Sequence, residues 1–289
     1  MSGIVQDPPA APGTRTPQRT SAAAGTRGVA GIDPGRLSGL GRNLAAPLLL
    51  GVAVLLLWQG AVWLLQIEPF IVPGPLAIAG AFSENLANVL GAASVTGANA
   101  GVGLLVGGLL GVGAAVASAA VPALDRLAVP MVVALSVIPI VALAPVLYTM
   151  YGADQQATRQ IVAGIAVFIP VYVNSLRGFR QVAPVHRDLM RSYAAGKWQI
   201  TRSVTLPSAV PYMFTGLRIA SSLAVVSALI AEYFGGPVGG LGKSVTSAAS
   251  SSNYTLAWAY VVGAVLLGLL FYAVTAGLEK YFSRHTART

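Results

Sequence analysis

Cysteine is absent from this chain of 289 residues, so neither disulfides nor thiolate metal sites enter the argument. Charge is scarce as well: Asp, Glu, Lys and Arg make up 9% of the residues, where a soluble globular domain carries about 25%. With 55% hydrophobic residues and a mean hydropathy of +0.71, that scarcity indicates a membrane protein. Histidine is limited to His186 and His285, far apart in basic, polar surroundings, which argues against a catalytic or metal role for either. Residues 1–43 lack Phe, Trp and Tyr and are rich in Pro, Ala, Gly, Thr and Arg. Such a segment cannot bury enough apolar surface to offset its ordering entropy, so a disordered cytoplasmic tail is expected over 1–43. Its arginines are placed to reach anionic lipid headgroups. It is no secretory signal, because the first apolar run starts too late and is too long.

What is present is a series of hydrophobic runs, at 44–67, 96–119, 127–150, 160–176, 212–234 and 257–278. About 20 apolar residues cross the hydrocarbon core, so an all-α membrane protein with six transmembrane helices is expected. It occupies 44–280 and leaves a short cytoplasmic tail at 281–289. The net charge of +9 raises nucleic acid as a partner, but no aromatics are interleaved with the basic residues on a soluble fold. The basic residues instead sort by side. Five in the first tail, Arg126, six from Arg177 to Arg202 and three near the C-terminus make fifteen on one side; the other holds Arg159 and Lys243. Positive charge favours the cytoplasm, which predicts both termini inside a bacterial plasma membrane.

Gly103, Gly107 and Gly111 share one face of the second run, a smooth surface for close helix packing inside the subunit or across a dimer. Asn99 is the one strongly polar residue there. An interhelical hydrogen bond worth about 1 kcal/mol is its first expectation, ahead of a solute contact. The third run holds Pro130, Pro139 and Pro145 and reads as a kinked, buried helix. Glu232 lies near a helix end, which suggests an interfacial place. Gly242-Lys243-Ser244 imitates the tail of a phosphate-binding loop. The pattern fails, because Pro237 stands where its first glycine belongs, an apolar run precedes it, and the charge-derived topology puts it outside.

The longest polar interval after the tail is PVHRDLMRSYAAGKWQITRSVTLPSAVPYMFTGLR, residues 184–218. Val185, Leu189 and Tyr193 repeat at i, i+4, i+8, giving a short amphipathic helix that starts at Pro184 and stops at Gly196. A second short helix is expected from Trp198 to about Thr205, ended by Pro207.

This interval resembles the cytoplasmic-loop signature of permease subunits of ABC importers, E-A-A-x3-G-x9-I-x-L-P. Asp188 stands at the acid, Leu189 and Met190 at the paired Ala, Ala194 at the Gly, then Val204 and Leu206-Pro207. The resemblance continues elsewhere. Val72-Pro73-Gly74-Pro75, opening an outer helix, is similar to the nitrate/sulfonate/taurine/thiamine-precursor branch, as are IPIVALAP at 138–145, Pro170 with Asn174, and Glu232 with Gly240-Leu241-Gly242. It implies a cytoplasmic coupling-helix loop, 181–211, between helices four and five. Asp188, Leu189, Met190, Arg191, Tyr193, Ala194, Ala195, Gly196, Lys197, Leu206 and Pro207 would contact an ABC ATPase subunit. Asn99, Ser136, Pro139 and Asn174 would lie along the translocation path. The chain would bind no cofactor, metal or nucleic acid and have no catalytic residues. ATP would be used by the partner ATPase, and an extracytoplasmic substrate-binding protein would deliver a small solute to a homodimer of permease subunits embedded in membrane lipid. A passive channel or membrane scaffold is the alternative, but neither needs the spacing from Asp188 to Pro207. A membrane-embedded enzyme would need an ionisable cluster at mid-depth.

Overall fold

The structure, a computed structural model, describes residues 35–182, 184–235 and 239–286. α1 spans Gly35–Leu64; residues 1–34, most of the expected tail at 1–43, lie outside the described part. The chain divides into two units, 1–52 and 53–289. In the first, Leu48, Leu49 and Leu50 of α1 are exposed.

The second unit is helical throughout its described residues. α2 (Pro75–Glu84) follows the Pro-Gly-Pro turn as expected, with Gly74 at its N-cap and Pro75 in the first turn, where its missing N–H costs nothing. The Leu76 N–H donates to Gln59 Oε1 at 3.1 Å, which ties α2 to the end of α1. α3 (Leu86–Ala120), α6 (Ala157–Arg180), α9 (Leu206–Phe234) and α11 (Tyr254–Thr286) are the long elements. Five helical stretches, 45–64, 86–120, 157–180, 197–234 and 254–283, are long and apolar enough to cross a membrane. The count reaches six if α4 (Pro122–Val137) and α5 (Ile140–Tyr151) form one broken span.

α6 sits between α3 and α9. Their shared core is built from small residues: Ala100 from α3, Ala163, Val167 and Val171 from α6, and Ala220, Ala224 and Ala228 from α9. In a bilayer burial against lipid gains little, so helices hold together by close van der Waals contact, which small side chains permit. The glycine face of α3 belongs to this packing. A Cβ at Gly111 would stand 3.0 Å from the Phe168 carbonyl oxygen, and one at Gly107 would collide with the Gly164 backbone. The smooth face therefore works inside the subunit.

Two expectations need correction. The third run is not one kinked, buried helix: α4 and α5 meet at an angle of 91°, and Leu127, Met131, Val137 and Met150 are exposed. Pro139 has no N–H to continue α4, and it drives the preceding Ile138 to an extended ψ of 121°. Pro207 does not end a helix either. It lies in the first turn of α9, continuous with α8 (Lys197–Ile200) through a π-helical turn, Thr201–Thr205. The helical stretch that carries the fifth run thus begins at Lys197 rather than near Tyr212.

Candidate functional site

Two features stand at opposite ends of α6. Beyond its C-terminal end lies α7 (Pro184–Ser192), which buries none of its residues. Pro184 opens it, as expected. Val185, Leu189 and Tyr193 form its apolar stripe, and all three are exposed, Tyr193 at 75%. Asp188 and Arg191 make an exposed ion pair at 3.4 Å on the polar side. The Arg187 guanidinium reaches the Phe179 carbonyl at 3.5 Å, one anchor of the segment to α6.

α7 ends in a Schellman motif. The Ala195 N–H donates to the Met190 carbonyl at 3.0 Å and the Ala194 N–H to the Arg191 carbonyl at 2.9 Å. Ala194 consequently takes a φ of 53°, the left-handed conformation that favours glycine. The expected stop at Gly196 is corrected accordingly. The helix closes at Ala194, and Gly196, at φ −69°, is the N-cap of α8, its N–H donating to Gln199 Oε1 at 2.9 Å. Residues 188–197 therefore form one projecting turn, with Met190 and Ala195 half-buried and the others exposed. Leu206 and Pro207 stand apart from it, beyond the π-helical turn.

The residues named for the path are dispersed. Asn99 is buried, and its Nδ2 donates to Gln156 Oε1 at 2.8 Å. Asn174 Nδ2 donates to the Pro170 carbonyl of its own helix at 2.8 Å. Ser136 and Pro139 are exposed around the break between α4 and α5.

At the other end of α6 is a buried polar network that the sequence reading missed. Glu232 is not interfacial: it is fully buried in the last turn of α9. Thr96 Oγ1 donates to its Oε2 at 2.8 Å, as does the Gly242 N–H at 3.1 Å, while the Leu241 N–H donates to Thr96 Oγ1 at 2.8 Å. A carboxyl group and a hydroxyl thus cap the N-terminus of α10 (Leu241–Ser250), satisfying N–H groups that have no partner within the helix. The glycines are required by shape. Gly240 has a φ of 151°, and a Cβ at Gly242 would stand 2.9 Å from the Glu232 Cβ. Arg159, expected as a charge facing the outer side, is fully buried instead. Its Nε donates to the Tyr148 hydroxyl at 3.2 Å and its Nη1 to Gln156 Oε1 at 2.8 Å; Tyr148 in turn donates to the Ala231 carbonyl at 3.0 Å. The available signal was the spacing of Glu232 from Gly240-Leu241-Gly242, which marks a carboxyl returning to a helix start. Glu232→Ala leaves the Gly242 N–H buried without its acceptor, so a loss of about 1–3 kcal/mol is expected, read as a lower melting temperature in detergent.

Among the described residues no group of His, Cys, Asp and Glu is arranged to hold a metal ion. Residues 107–288 match the family of binding-protein-dependent transport system inner membrane components. The chain is 28% identical to the riboflavin transport system permease protein of Chloroflexus aurantiacus, over 81% of this chain and 87% of that one. It is 24% identical to a putative aliphatic sulfonates transport permease protein of Bacillus subtilis, over 82% and 83% of the two chains. A nitrate import permease protein of Synechococcus elongatus is 31% identical over 55% of this chain and 56% of its own length.

Proposed function

Because this chain belongs to the family of binding-protein-dependent transport system inner membrane components, and is the permease subunit of an ABC importer, we propose that its 184–207 segment is the element through which ATP hydrolysis is coupled to transport. The family is the transport component and not the catalytic one, a multi-pass protein of the inner membrane. It implies an ATPase partner that uses ATP and a binding protein that delivers the solute.

The observation that carries the proposal is the unpartnered apolar stripe of α7, closed by a left-handed turn at Ala194. The exposed stripe of this short helix has no packing partner among the described residues. A groove on a second subunit supplies one. Asp188, Leu189, Met190, Arg191, Tyr193, Ala194, Ala195, Gly196 and Lys197 are its contact surface, and Leu206 with Pro207 transmit movement into α9. Two permease subunits pair as a homodimer, and the solute passes between them along a path that includes Asn99, Ser136, Pro139 and Asn174. The solute is of the kind that the relatives' names give, an organic compound such as riboflavin or a sulfonate, or a small anion such as nitrate. Taurine and thiamine precursors belong to the same range, and a thermal-shift screen of the cognate binding protein assigns it.

The reading requires the 184–207 segment to face the cytoplasm, which agrees with the distribution of Lys and Arg. The cysteine-free chain makes the test clean. Single cysteines at Ser83 and Ser251 are expected to react with a membrane-impermeant thiol reagent on intact spheroplasts, and one at Ser203 only after lysis. Labelling of the Ser203 position on intact cells overturns both the orientation and the coupling role.

A further inference from the structure

The first half of α9, into which the 184–207 segment leads, is joined to α11 by a row of side chains. The Phe214 and Phe282 rings stack with their centroids 4.5 Å apart. Thr215 Oγ1 donates to Glu279 Oε1 at 2.6 Å, and Arg218 Nη1 reaches Glu279 Oε2 at 2.9 Å. The same guanidinium lies 5.8 Å from the centroid of the Tyr272 ring. One turn further along α9, Thr275 Oγ1 donates to Ser221 Oγ at 3.0 Å. Steps of three or four residues from Tyr272 through Thr275 and Glu279 to Phe282 keep the α11 members on one stripe.

α9 meets α6 differently. A Cβ on Gly178 of α6 would stand 3.1 Å from the Ala209 carbonyl oxygen, and one on Gly216 of α9 would stand 3.1 Å from the Pro170 carbonyl oxygen. Backbone thus lies against backbone. Among the described residues, no side chain of 206–221 makes a hydrogen bond or ion pair to α6 or α3. A contact made by dispersion alone has no directional bond to break when one helix shears along another. The far end of α9 is held instead: Glu232 accepts from Thr96 of α3, and the Ala231 carbonyl accepts from Tyr148 of α5.

We infer that α9 and α11 swing as one lever, joined by the Arg218–Glu279 pair and pivoting near Glu232, and that they shear against α6 when the 184–207 segment is displaced. Parting the pair is unfavourable, since the two side chains are only 34% and 17% exposed and each would lose its counter-charge. No such bond holds this half of α9 to α6. The inference deepens the coupling role of 184–207 and rests on it for the point where force enters.

The test places pairs of spin labels in the cysteine-free chain, one pair at Ser203 and Lys280 and another at Gln181 and Ser203, all exposed positions. Labelled subunits are diluted into unlabelled ones, so that each transporter, assembled with its partners in a nanodisc, reports distances within a single subunit. On trapping with ATP and orthovanadate, the distance between positions 181 and 203 is expected to shift by about 2–5 Å, between a helix shear and a one-turn slide. The distance between 203 and 280 should stay fixed. Glu279→Gln should make the latter shift on trapping by a similar amount, and the exchanged pair, Arg218→Glu with Glu279→Arg, should fix it again. A pair that served folding alone would give no such shift between the two states. The parent measurement leaves the pair intact, so it decides even where Glu279→Gln fails to assemble. The inference is overturned by a shift between 203 and 280 in the parent, by an unchanged distance between 181 and 203, or by a distance between 203 and 280 that stays fixed in Glu279→Gln. The coupling role is read separately, from ATPase stimulation in the Ala194→Arg transporter, so the failure of one is distinct from the failure of the other.

Discussion

Ala194→Arg is expected to leave the permease folded and inserted while abolishing stimulation of its ATPase partner by the loaded binding protein. Folding should survive because Ala194 is exposed and already takes a φ of 53°. The left-handed conformation costs a residue with a Cβ roughly 1–2 kcal/mol relative to glycine, and lengthening the side chain beyond Cβ adds little to that. Docking is another matter. A long guanidinium on the closing turn of α7 must be desolvated in the groove that receives the apolar stripe, and an unpaired buried charge is heavily penalised. Ala194→Gly supplies the opposite control: it relieves the strained turn, stabilises the Schellman motif by up to about 1 kcal/mol and preserves stimulation. Asp188→Ala should be mild, because its ion pair with Arg191 is solvent-exposed and worth at most about 1 kcal/mol. The measurement is the ATPase rate in proteoliposomes, with copurification of the ATPase subunit scored in parallel. Full stimulation of the Ala194→Arg transporter removes 184–207 as the coupling element.

Gly107→Leu should prevent assembly of the subunit itself. A Cβ at Gly107 would run into the backbone of Gly164, including its carbonyl oxygen, and backbone cannot rotate out of the way as a flexible side chain can. α3 and α6 must separate along their length, which strips the contacts around Ala100, Ala163 and Val167. Overpacking in a core commonly costs about 1–3 kcal/mol; here the obstacle is main chain on an adjacent helix, so the effect should lie at or above the top of that range. Gly113→Leu is the matched comparison, because a Cβ there meets nothing within 4 Å. Fluorescence-detected size exclusion should show loss of the monodisperse peak for Gly107→Leu and retention for Gly113→Leu. Equal behaviour of the two variants would refute the α3–α6 contact.

Much of this architecture is legible in the sequence, and the legible parts share a physical basis. A bilayer demands about 20 apolar residues per crossing, so the runs announce themselves by composition. The glycine spacing of α3 and the Pro-Gly-Pro before α2 are likewise local, since helix periodicity and proline's fixed φ act over a few residues. The amphipathic stripe of α7 is equally readable. The role of Ala194 was half visible: its spacing marks a place for a small residue, but only the backbone reveals a left-handed turn as one reason for it.

Where the sequence misleads, distant segments decide. Glu232 reads as a carboxylate near a helix end, and such residues usually reach water. Its burial follows from Thr96 on α3 and the backbone of α10 arriving at the same point, 136 residues away in one case and 10 in the other. Arg159 reads as a loop charge and becomes a core residue because Tyr148 and Gln156 offer oxygens to its guanidinium. The break at Pro139 is similar: proline predicts a bend, but whether α4 swings through 91° or continues depends on what packs beside it. Periodicity, length and charge sidedness are set by neighbours in the chain, and the sequence by itself fixes them. Burial of a polar group and the angle between helices depend on which remote atoms are present to satisfy a donor or fill a gap, and those only the tertiary structure supplies.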